Sequence, residues 1–402
     1  MINALRGMKD TISPTSEIYA HIIETCTKIA QNYGFSFIET PILEETALFK
    51  RSVGESSDIV GKEMYQFIDK GENDVCLRPE GTAGVVRAFI QQKFDKAGGV
   101  RRFFYHGPMF RYERPQKGRL RQFHQFGAET FGEGNVREDA TIILMLKAIF
   151  ESLGIGYTLE INSLGCPACM PLYKQTLVQF LETLDGLCED CQRRKLTNPI
   201  RVLDCKNEHC KVLLADAPLI VGHLCSTCKD DFATLKLILD QFGVAYVVNP
   251  KLVRGLDYYS KTAFEFVSSE IGAQSAIAGG GRYDRLVEFL DGKPTFGVGF
   301  AMGIERLMEL VKMPEIKREG YYIGALCEEA KGVVYNLVIQ KRETSKVLTQ
   351  YEAKSLKSHL SNADKNYVKF CVCIGEDELS KGVVWVKDLE SKEEVTIKLE
   401  NF

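Results

Sequence analysis

The sequence predicts a mixed α/β fold divided into several domains, and three observations support this. Strand patterns and helix patterns both recur along the chain, a cysteine-rich stretch interrupts it near the middle, and its last eighty or so residues alternate strand with helix. Hydrophobic residues make up 45% and charged residues 26% of the 402 residues, which is ordinary for a globular protein. At about 100–200 residues per domain, two to four domains are expected.

The first predicted domain part, residues 1–163, is recognised by its helix and strand periodicities. The helix at 16–33 carries apolar residues on one stripe and is followed by Gly34, a typical residue after a helix C-terminus. The predicted elements, in chain order, are a helix at 16–33, a strand at 35–40, two aromatic-rich strands within 103–131 joined by a loop at 114–118, a helix at 137–153 and a strand at 157–161.

Residues 164–240 form a predicted cysteine-rich helical insert, with helices at 172–184 and 232–242. Residues 241–318 return to strand patterns at 245–248 and 263–267, followed by a triple glycine, another strand and a helix from about 303 to 311. The mixed-charge stretch 312–320 is the predicted linker. Residues 319–402 then alternate strand and helix and end in a hairpin, which predicts a small α/β domain.

The charge balance restricts the possible partners. Lys plus Arg number 51 against 54 Asp plus Glu, a formal net charge of −3. This excludes a polycation that coats nucleic acid, although not a local basic groove. The first residues lack the apolar run of a signal peptide, and no stretch resembles a membrane span, so we expect a cytosolic protein.

One segment concentrates positive charge. Residues 111–121 hold five cations and one acid, which in a net-acidic chain indicates an anionic partner, although a solvated basic loop would show the same charge. The flanking strand supports a site, because Gln125, Gly127 and Glu129 share one face with Phe123. A Gln and a Glu beside a glycine are typical of a polar pocket floor. His124 faces the other way and is interpreted as structural.

Four further segments carry chemistry only in combination. Residues 78–82 place a carboxylate and a hydroxyl in a turn, 252–259 add an arginine and paired tyrosines, 278–284 contain the triple glycine, and 296–307 run a small-residue strand into a helix with an arginine. The chain has no Walker lysine motif and no nucleophile elbow, so P-loop ATPase and serine-hydrolase functions are not indicated.

Taken together, these segments resemble the class II aminoacyl-tRNA synthetases, and among them the histidyl-tRNA synthetase family. Residues 34–42, 110–129 and 297–307 match the three motifs of the class; 252–259, 278–284 and 78–82 match segments of the histidine-specific family. The resemblance covers nearly the whole chain. It implies an antiparallel-sheet catalytic domain in two parts, 1–163 and 241–318, the helical insert 164–240 between them, and an anticodon-binding domain at 319–402.

The resemblance implies ATP-dependent joining of histidine to tRNA(His) by way of histidyl-adenylate, with ATP and Mg²⁺ as the nucleotide substrate. No general base is needed, because an α-carboxyl with a pKa of roughly 3.3–3.7 is already an anion. Arginines are suited to phosphate. By resemblance, Arg111 holds the α-phosphate, Arg306 the outer phosphates or the adenine face, and Arg254 lies across the reaction centre as a third catalytic residue. The remaining expected ATP contacts are Glu113 and Arg119 or Arg121.

For histidine, the resemblance assigns Glu80, Thr82 and Gln125 to the α-ammonium group, and Glu129 and Tyr259 to the two imidazole nitrogens. The residues expected to complete the pocket are Gly81, Tyr258 and Tyr283. An imidazole offers one donor and one acceptor, which a carboxylate and a phenol can satisfy. Such a site can discriminate by roughly 10⁴–10⁵, so a separate editing domain is not expected.

Thirteen cysteines need an explanation, because disulfides do not persist in the cytosol. Five are scattered and are predicted to be small core residues. The other eight are candidate zinc ligands: Cys166, Cys169, Cys188, Cys191, Cys205, Cys210, Cys225 and Cys228. The spacing of the first four predicts one four-cysteine site, and the last four are slightly off the pattern, with His209 and His223 as spare ligands. We favour one or two structural zinc ions over reduced thiols.

The C-terminal domain is not basic, since residues 320–402 hold 12 Lys plus Arg and 13 Asp plus Glu. Lys354, Lys357, Lys365 and Lys369 remain candidates for phosphate contacts, because a single-stranded anticodon can be recognised by shape and stacking. The resemblance also implies a homodimer without membrane association. Two alternatives stay open: a histidine-sensing regulatory paralogue of a phosphoribosyltransferase, which tends to lose the phosphate-binding arginines and the C-terminal domain, and a zinc-dependent nucleic-acid-binding module.

Overall fold

A computed structural model describes residues 2–54, 57, 59–116, 118–205, 207–256, 258–271, 276–312 and 317–402. The chain divides into two compact units, one ending at Lys312 and the other at Phe402. Residues 313–316 of the predicted linker lie outside the described residues. No helix in the described part is long and apolar enough to cross a membrane.

Among the described residues of the first unit, eleven strands belong to two sheets. Their bounds are β1 Ser36–Phe37, β2 Leu43–Glu45, β3 Tyr65–Ile68, β4 Asp74–Leu77, β5 Arg101–Phe110, β6 Gln122–Phe131, β7 Thr158–Ser163, β8 Tyr246–Val248, β9 Ser260–Val267, β10 Ala276–Arg282 and β11 Gly297–Gly303. The large sheet has the order β1-β5-β6-β11-β10-β9-β7-β8, and β2, β4 and β3 form a small sheet. The six strands from β5 to β7 in this order pair antiparallel, while β1 and β8 add parallel edges.

The helices of this unit cover the sheet and build the insert. Their bounds are α1 Thr15–Asn32, α2 Thr46–Val53, α3 Thr82–Gln91, α4 Phe94–Ala97, α5 Val136–Ser152, α6 Met170–Glu182, α7 Glu189–Thr197, α8 Glu208–Leu213, α9 Ser226–Gln241, α10 Leu286–Phe289 and α11 Ile304–Met308. One face of the large sheet packs against α1, α5 and α9 in the main core. The other face carries a smaller core with α3 and the tyrosines Tyr105, Tyr258 and Tyr283.

The insert lies between β7 and β8 and has its own small core. That core contains Tyr173, Leu177 and Leu181 of α6 together with several cysteines, among them Cys228 of α9. Of the five scattered cysteines, Cys26, Cys76, Cys371 and Cys373 are buried, as predicted for core residues, and Cys327 is half-buried.

The second unit is a five-stranded sheet with three helices. Its elements are β12 Tyr321–Ala325, α12 Lys331–Arg342, β13 Val347–Gln350, α13 Leu356–Lys365, β14 Phe370–Ile374, α14 Glu376–Lys381, β15 Val383–Asp388 and β16 Glu394–Lys398. The order is β13-β12-β14-β15-β16, parallel for the first three strands and antiparallel at the hairpin end. The predicted mixed α/β architecture with a C-terminal sheet domain is confirmed.

Candidate active site

A cavity of about 250 Å³ opens on the α3 face of the large sheet. It is floored by β6, β10 and β11, whose register places Gln125 opposite Gly303 and Glu129 opposite Gly299. Small residues of β10 and β11 keep the floor low: Ala278, Gly279, Ala301 and Gly303 line the cavity, and a Cβ at Gly279 would displace the Arg254 guanidinium.

Three arginines from distant parts of the chain line this one cavity. Arg111 follows β5, Arg254 precedes β9, and Arg306 lies in the first turn of α11. Arg111 donates from Nε to the Pro79 carbonyl at 2.9 Å, and Arg306 donates to the Ala276 carbonyl. The fold thus brings these three guanidinium groups to one cavity.

Arg254 is held in place from two sides. Its Nη1 pairs with Glu265 Oε1 at 2.8 Å, and its guanidinium lies 5.6 Å from the Tyr259 ring centroid. Gly279 leaves room for it, since a Cβ there would lie 2.5 Å from the Arg254 guanidinium nitrogens. Within the described residues, Arg254 Nε is buried without a hydrogen-bond partner, which leaves one donor for a ligand.

The positive groups are close enough to affect one another. Burial lowers the pKa of Arg306, and the charges of Arg119 and Arg111 lower it further. Burial also lowers the pKa of Arg111. For Arg254 burial opposes the charge, but Tyr259 and Glu265 outweigh it and raise the pKa. Cations that lower one another's pKa in a partly buried cavity, as Arg119 and Arg111 do for Arg306, indicate a site prepared for an anion such as a polyphosphate.

A carboxylate and a hydroxyl, those of Glu80 and Thr82, also line the cavity, at the start of α3. Glu80 accepts hydrogen bonds from the backbone N–H groups of Thr82 (2.7 Å) and Ala83 (2.9 Å), so it caps the helix. Burial nevertheless raises the pKa of Glu80. The side-chain oxygen of Gln125 is buried nearby and, among the described residues, has no hydrogen-bond partner. These groups are arranged to bind a ligand with N–H donors.

Glu129 lies directly behind this lining. Its carboxyl group accepts a hydrogen bond from Thr82 Oγ1 at 2.7 Å and one from the Tyr283 hydroxyl. Burial raises its pKa to about 8, opposed by those hydrogen bonds and aided by Glu80. A carboxyl group whose pKa lies near neutral pH, directly behind the lining of a cavity, is typical of a functional site.

Aromatic rings close the cavity beside Glu129. Tyr258 and Tyr259 line it with ring centroids 4.7 Å apart, and Tyr283 meets Tyr258 edge to face at 5.7 Å. Asp257, between this pair and Arg254 in the histidine-specific segment, lies outside the described residues. Tyr258 and Tyr259 provide an apolar wall for a flat ligand group, and Tyr283, which is 1% exposed, packs behind them.

Some predicted residues do not line the cavity. Gly81 packs against the Tyr105 ring, and Arg121 lies with its Cζ 3.8 Å from the Tyr112 ring centroid. Arg119 does line it and pairs with Glu113, which is buried. Lys117 of the basic loop lies outside the described residues.

Sequence reasoning missed two acids that organise the site. Glu265 orients Arg254, and Glu305 accepts from the His124 backbone N–H at 2.9 and 3.0 Å and contacts His124 Nδ1 at 2.8 Å. This contact links α11, which carries Arg306, to β6, which carries Gln125. His124 is therefore structural, as interpreted. Glu305 could have been suspected from its position beside Arg306, but nothing in the sequence pairs it with His124.

The eight clustered cysteines meet in an order that their spacing does not predict. Cys166, Cys169, Cys225 and Cys228 form one group and Cys188, Cys191, Cys205 and Cys210 another, and in each the four sulfurs lie within 4.8 Å of one another. The predicted grouping of 166, 169, 188 and 191 is wrong, because the fold brings the two ends of the insert together. His209 and His223 belong to neither group, and His223 Nδ1 contacts the Leu219 carbonyl instead.

Comparison with known proteins gives matches over both units of the chain. The family model described as Histidyl-tRNA synthetase matches residues 7–307, and the one described as Anticodon binding domain matches residues 326–402. Similar curated proteins are the histidine--tRNA ligases of Sulfurimonas denitrificans, 64% identical over 100% of both chains, and of Sulfurovum sp., 63% identical over 99% of both. The crystal structure of apo Staphylococcus aureus histidyl-tRNA synthetase, 34% identical, covers 100% of this chain and 98% of its own, with a TM-score of 0.84.

Proposed function

Because the chain belongs to the histidyl-tRNA synthetase family, we propose that it activates histidine with ATP in the cavity described above and transfers the histidyl group to tRNA(His). The observation that carries the assignment to this cavity is the meeting of Arg111, Arg254 and Arg306 with the polar group at the start of α3. The arginines are suited to phosphates, and the polar group beside them is suited to a small amino acid.

In the first step, a carboxylate oxygen of histidine attacks the α-phosphorus of ATP. A C–O–P bond forms, the bond from the α-phosphorus to the bridging oxygen breaks, and pyrophosphate leaves with that electron pair. The difficulty is electrostatic, since an anion approaches a polyanion and charge builds on the α-phosphate. Arg111 and Arg254 neutralise that charge from two sides, and Arg306 binds the outer phosphates or the adenine face.

The nucleotide has further partners in this proposal. Mg²⁺ enters with ATP, and the carboxylates of Glu113 and Glu305 in the cavity wall are hard oxygen ligands of the type it prefers. Arg119 is better placed than Arg121 to contact the γ-phosphate, because Arg119 lines the cavity and Arg121 stacks on Tyr112. Phe123, whose ring lies 5.3 Å from the Arg111 guanidinium, adds an apolar surface for the base.

For histidine, Glu80, Thr82 and Gln125 receive the α-ammonium group, and the unpartnered Gln125 oxygen supports this role. Tyr259 and Glu129 meet the two imidazole nitrogens, with Tyr258 and Tyr283 beside the ring. Because the pKa of Glu129 is raised, the protonation states of Glu129 and of the imidazole must match for histidine to bind. An amino acid without the matching donor and acceptor would leave these buried groups unpaired.

In the second step, the terminal adenosine hydroxyl of tRNA(His) attacks the histidyl carbonyl, the ester to tRNA forms and AMP leaves. The C-terminal unit binds the anticodon. The family further implies a cytoplasmic homodimer. The edge strand β1 and the residues after it support association, because Phe37, Ile42 and Leu43 expose 42–49% of their surface there.

Zinc bound by the cysteine block is also part of this proposal. Two groups of four sulfurs are suited to structural zinc, which would leave no open coordination position for catalysis. Zinc therefore has no place in either chemical step.

The test is the exchange of labelled pyrophosphate into ATP with each of the twenty amino acids. Exchange above background is expected with histidine alone. Exchange with another amino acid instead would overturn the substrate. Histidine binding without any exchange would favour the regulatory alternative, which the retained arginines and the full-length ligase relatives do not favour.

A further inference from the structure

The sulfur positions in each cysteine group match the dimensions of a single metal ion. In the first group, Cys166 Sγ lies 3.7 Å from Cys169 Sγ and 3.8 Å from Cys225 Sγ. In the second, Cys188 and Cys205 are 3.8 Å apart. Four sulfurs placed about 2.3 Å from a central Zn²⁺ in a tetrahedron are themselves about 3.8 Å apart. A disulfide would need about 2.05 Å.

Backbone donors point at sulfurs in both groups. The Cys225 N–H donates to Cys169 Sγ at 3.2 Å, the Cys188 N–H to Cys210 Sγ at 3.3 Å, and the Asn207 N–H to Cys205 Sγ at 3.4 Å. A neutral thiol is a weak acceptor, whereas a metal-bound thiolate is a strong one. Such N–H donors are the usual surroundings of metal-bound cysteines.

The local backbone is shaped to present the pairs. Gly165 has φ +70°, and a Cβ there would lie 2.8 Å from Cys169 Cβ, so only glycine permits the tight turn that brings Cys166 and Cys169 together. Cys225 and Cys188 each stand immediately before a helix, α9 and α7. The second cysteine of each pair, Cys228 or Cys191, lies in the first turn of that helix, and its sulfur belongs to the same group as that of the first.

The insert also needs the stabilisation that an ion would give. Its core consists of fifteen buried residues, and five of them are cysteines of the two groups. A core this small provides little hydrophobic stabilisation, and bound metal adds folding free energy directly.

We propose that the insert binds two Zn²⁺ ions in nested sites. The outer site uses Cys166, Cys169, Cys225 and Cys228, and closes the insert where the chain enters and leaves it. The inner site uses Cys188, Cys191, Cys205 and Cys210 and lies within the segment that the outer site encloses. This inference rests on the zinc part of the proposed function and adds the number of ions and the ligand sets.

Zinc content of the purified full-length chain, measured by mass spectrometry after dialysis against a weak chelator, tests the proposal. Two ions per chain are expected. The double variant C166S/C225S removes two ligands of the outer site and should retain one ion. C166S/C188S damages both sites and should retain none. The control C327S, outside the block, should retain two.

The outcomes separate the two levels of the proposal. If C166S/C225S retains no ion and C166S/C188S retains one, the sites are grouped by sequence order and the nested pairing is wrong, while zinc binding stands. If the wild-type chain binds no metal, the zinc proposal itself fails. One ion per chain, or iron in place of zinc, would overturn the two-zinc assignment.

A second measurement covers variants that fail to fold. Cobalt(II) added to the reduced, metal-free wild-type chain should give thiolate-to-cobalt absorption that saturates at two equivalents, with visible bands of tetrahedral intensity. Saturation at one equivalent, or bands typical of octahedral cobalt, would contradict two four-thiolate sites.

Discussion

Glu129 is the most deeply buried acid of the site. It lies 1% exposed beneath the cavity, within hydrogen-bond distance of Thr82 and Tyr283, and Glu80 is near enough to raise its pKa further. When two carboxyl groups are buried in one pocket, ionising both has a high free-energy cost. A histidine that supplies an ammonium group and a ring N–H would relieve both, so this region is prepared for its ligand at some expense of stability.

That expense gives a pH-dependent prediction. The folded-state pKa of Glu129, about 8, lies above its ordinary value of 4.5, so the folded chain holds a proton that the unfolded chain releases. The free energy of unfolding should therefore fall as pH rises from about 4.5 to about 8. Relative to the Glu129→Gln variant, wild type should lose roughly 4 kcal/mol across this window, at about 1.4 kcal/mol per pKa unit.

Urea unfolding of both proteins at pH 5, 6.5 and 8 measures the difference, and the other titrating groups cancel in the comparison. Parallel pH profiles for the two proteins would mean that Glu129 titrates in its ordinary range and is not held protonated.

Arg254 gives the corresponding prediction for chemistry. Arg254→Ala should lower the rate of histidine-dependent pyrophosphate exchange by about 10²–10³-fold, because a preorganised positive group at the α-phosphate is lost. Histidine affinity, measured by calorimetry, should change little. Arg137→Ala, at an exposed position on α5, serves as the control. An equal loss of exchange and of histidine binding would make Arg254 structural.

The residues of the site could be predicted from the sequence to different extents. The three arginines fall in motifs with a family pattern, and the fold brings them to one cavity. The acid partners Glu265 and Glu305 were not, because a strand position and a helix start carry no signal of what they face. Arg121 looks equivalent to Arg119 in sequence, and only the packing of Tyr112 separates them.

At the scale of elements, strand β10 shows how glycines divide between function and folding. A Cβ at Gly279 would meet the Arg254 guanidinium, the mobile end of a long side chain, whereas a Cβ at Gly280 would collide with the Gly299 backbone carbonyl of β11. Adjacent glycines on one strand thus face the cavity and the neighbouring strand respectively.

Two matched variants test this division. Gly279→Ala should fold with nearly unchanged thermal stability but lose about tenfold or more in exchange rate, because Arg254 is displaced. Gly280→Ala should lose roughly 1–3 kcal/mol of stability, because backbone must move. Thermal melts and exchange rates for both provide the measurement. A G279A protein with normal exchange would show that Arg254 adapts without cost.

Many long elements were predicted within a few residues, since helices such as α1 and strands such as β5 bury one face and so repeat apolar residues regularly. The small sheet β2-β4-β3 and the helices α2 and α3 were missed. Strand β2 has only three residues and no buried one, so its pairing is fixed by tertiary contacts rather than by pattern. The predicted strand at 35–40 is reduced to two paired residues at the sheet edge.

At the scale of the whole molecule, the cysteine pairing was beyond sequence reasoning. Spacing shows which cysteines form local pairs, but which pairs meet depends on how α6 to α9 fold back on themselves. The insert begins after β7 and ends before β8, which pairs with β7, and Cys166 lies beside Cys225.

The outer cysteine group is connected to the active site, and this predicts unequal effects of metal loss. The Leu164 N–H donates to the Lys261 carbonyl at 2.6 Å and the Lys261 N–H to the Gly165 carbonyl at 2.7 Å, which joins the start of the insert to β9. A second cavity of about 380 Å³ has Cys166 in one wall and Tyr258 and Tyr259 in another.

C166S/C225S should therefore raise the KM for histidine by about tenfold, while C188S/C205S should lower thermal stability with KM within about twofold of wild type. Exchange kinetics at varied histidine concentration measure both. Equal changes of KM in the two variants would contradict the connection.

The C-terminal unit supplies a separate prediction about tRNA. Lys357 and Lys365 are exposed on α13, and their charge reversal to Glu should raise the KM for tRNA by about tenfold and weaken its dependence on salt. Histidine-dependent exchange, which needs no tRNA, should not change. Lys398→Glu in β16 is the control. An unchanged KM for tRNA would place the binding face elsewhere on this unit.

The most direct test of the central claim is a crystal structure of the chain with ATP, Mg²⁺ and histidinol, the alcohol that cannot form an adenylate. The guanidinium groups of Arg111, Arg254 and Arg306 should all contact the same bent nucleotide, with the imidazole beside Tyr259 and Glu129. A nucleotide bound in the cavity without contact to Arg254 and Arg306, or bound outside it, would contradict the account.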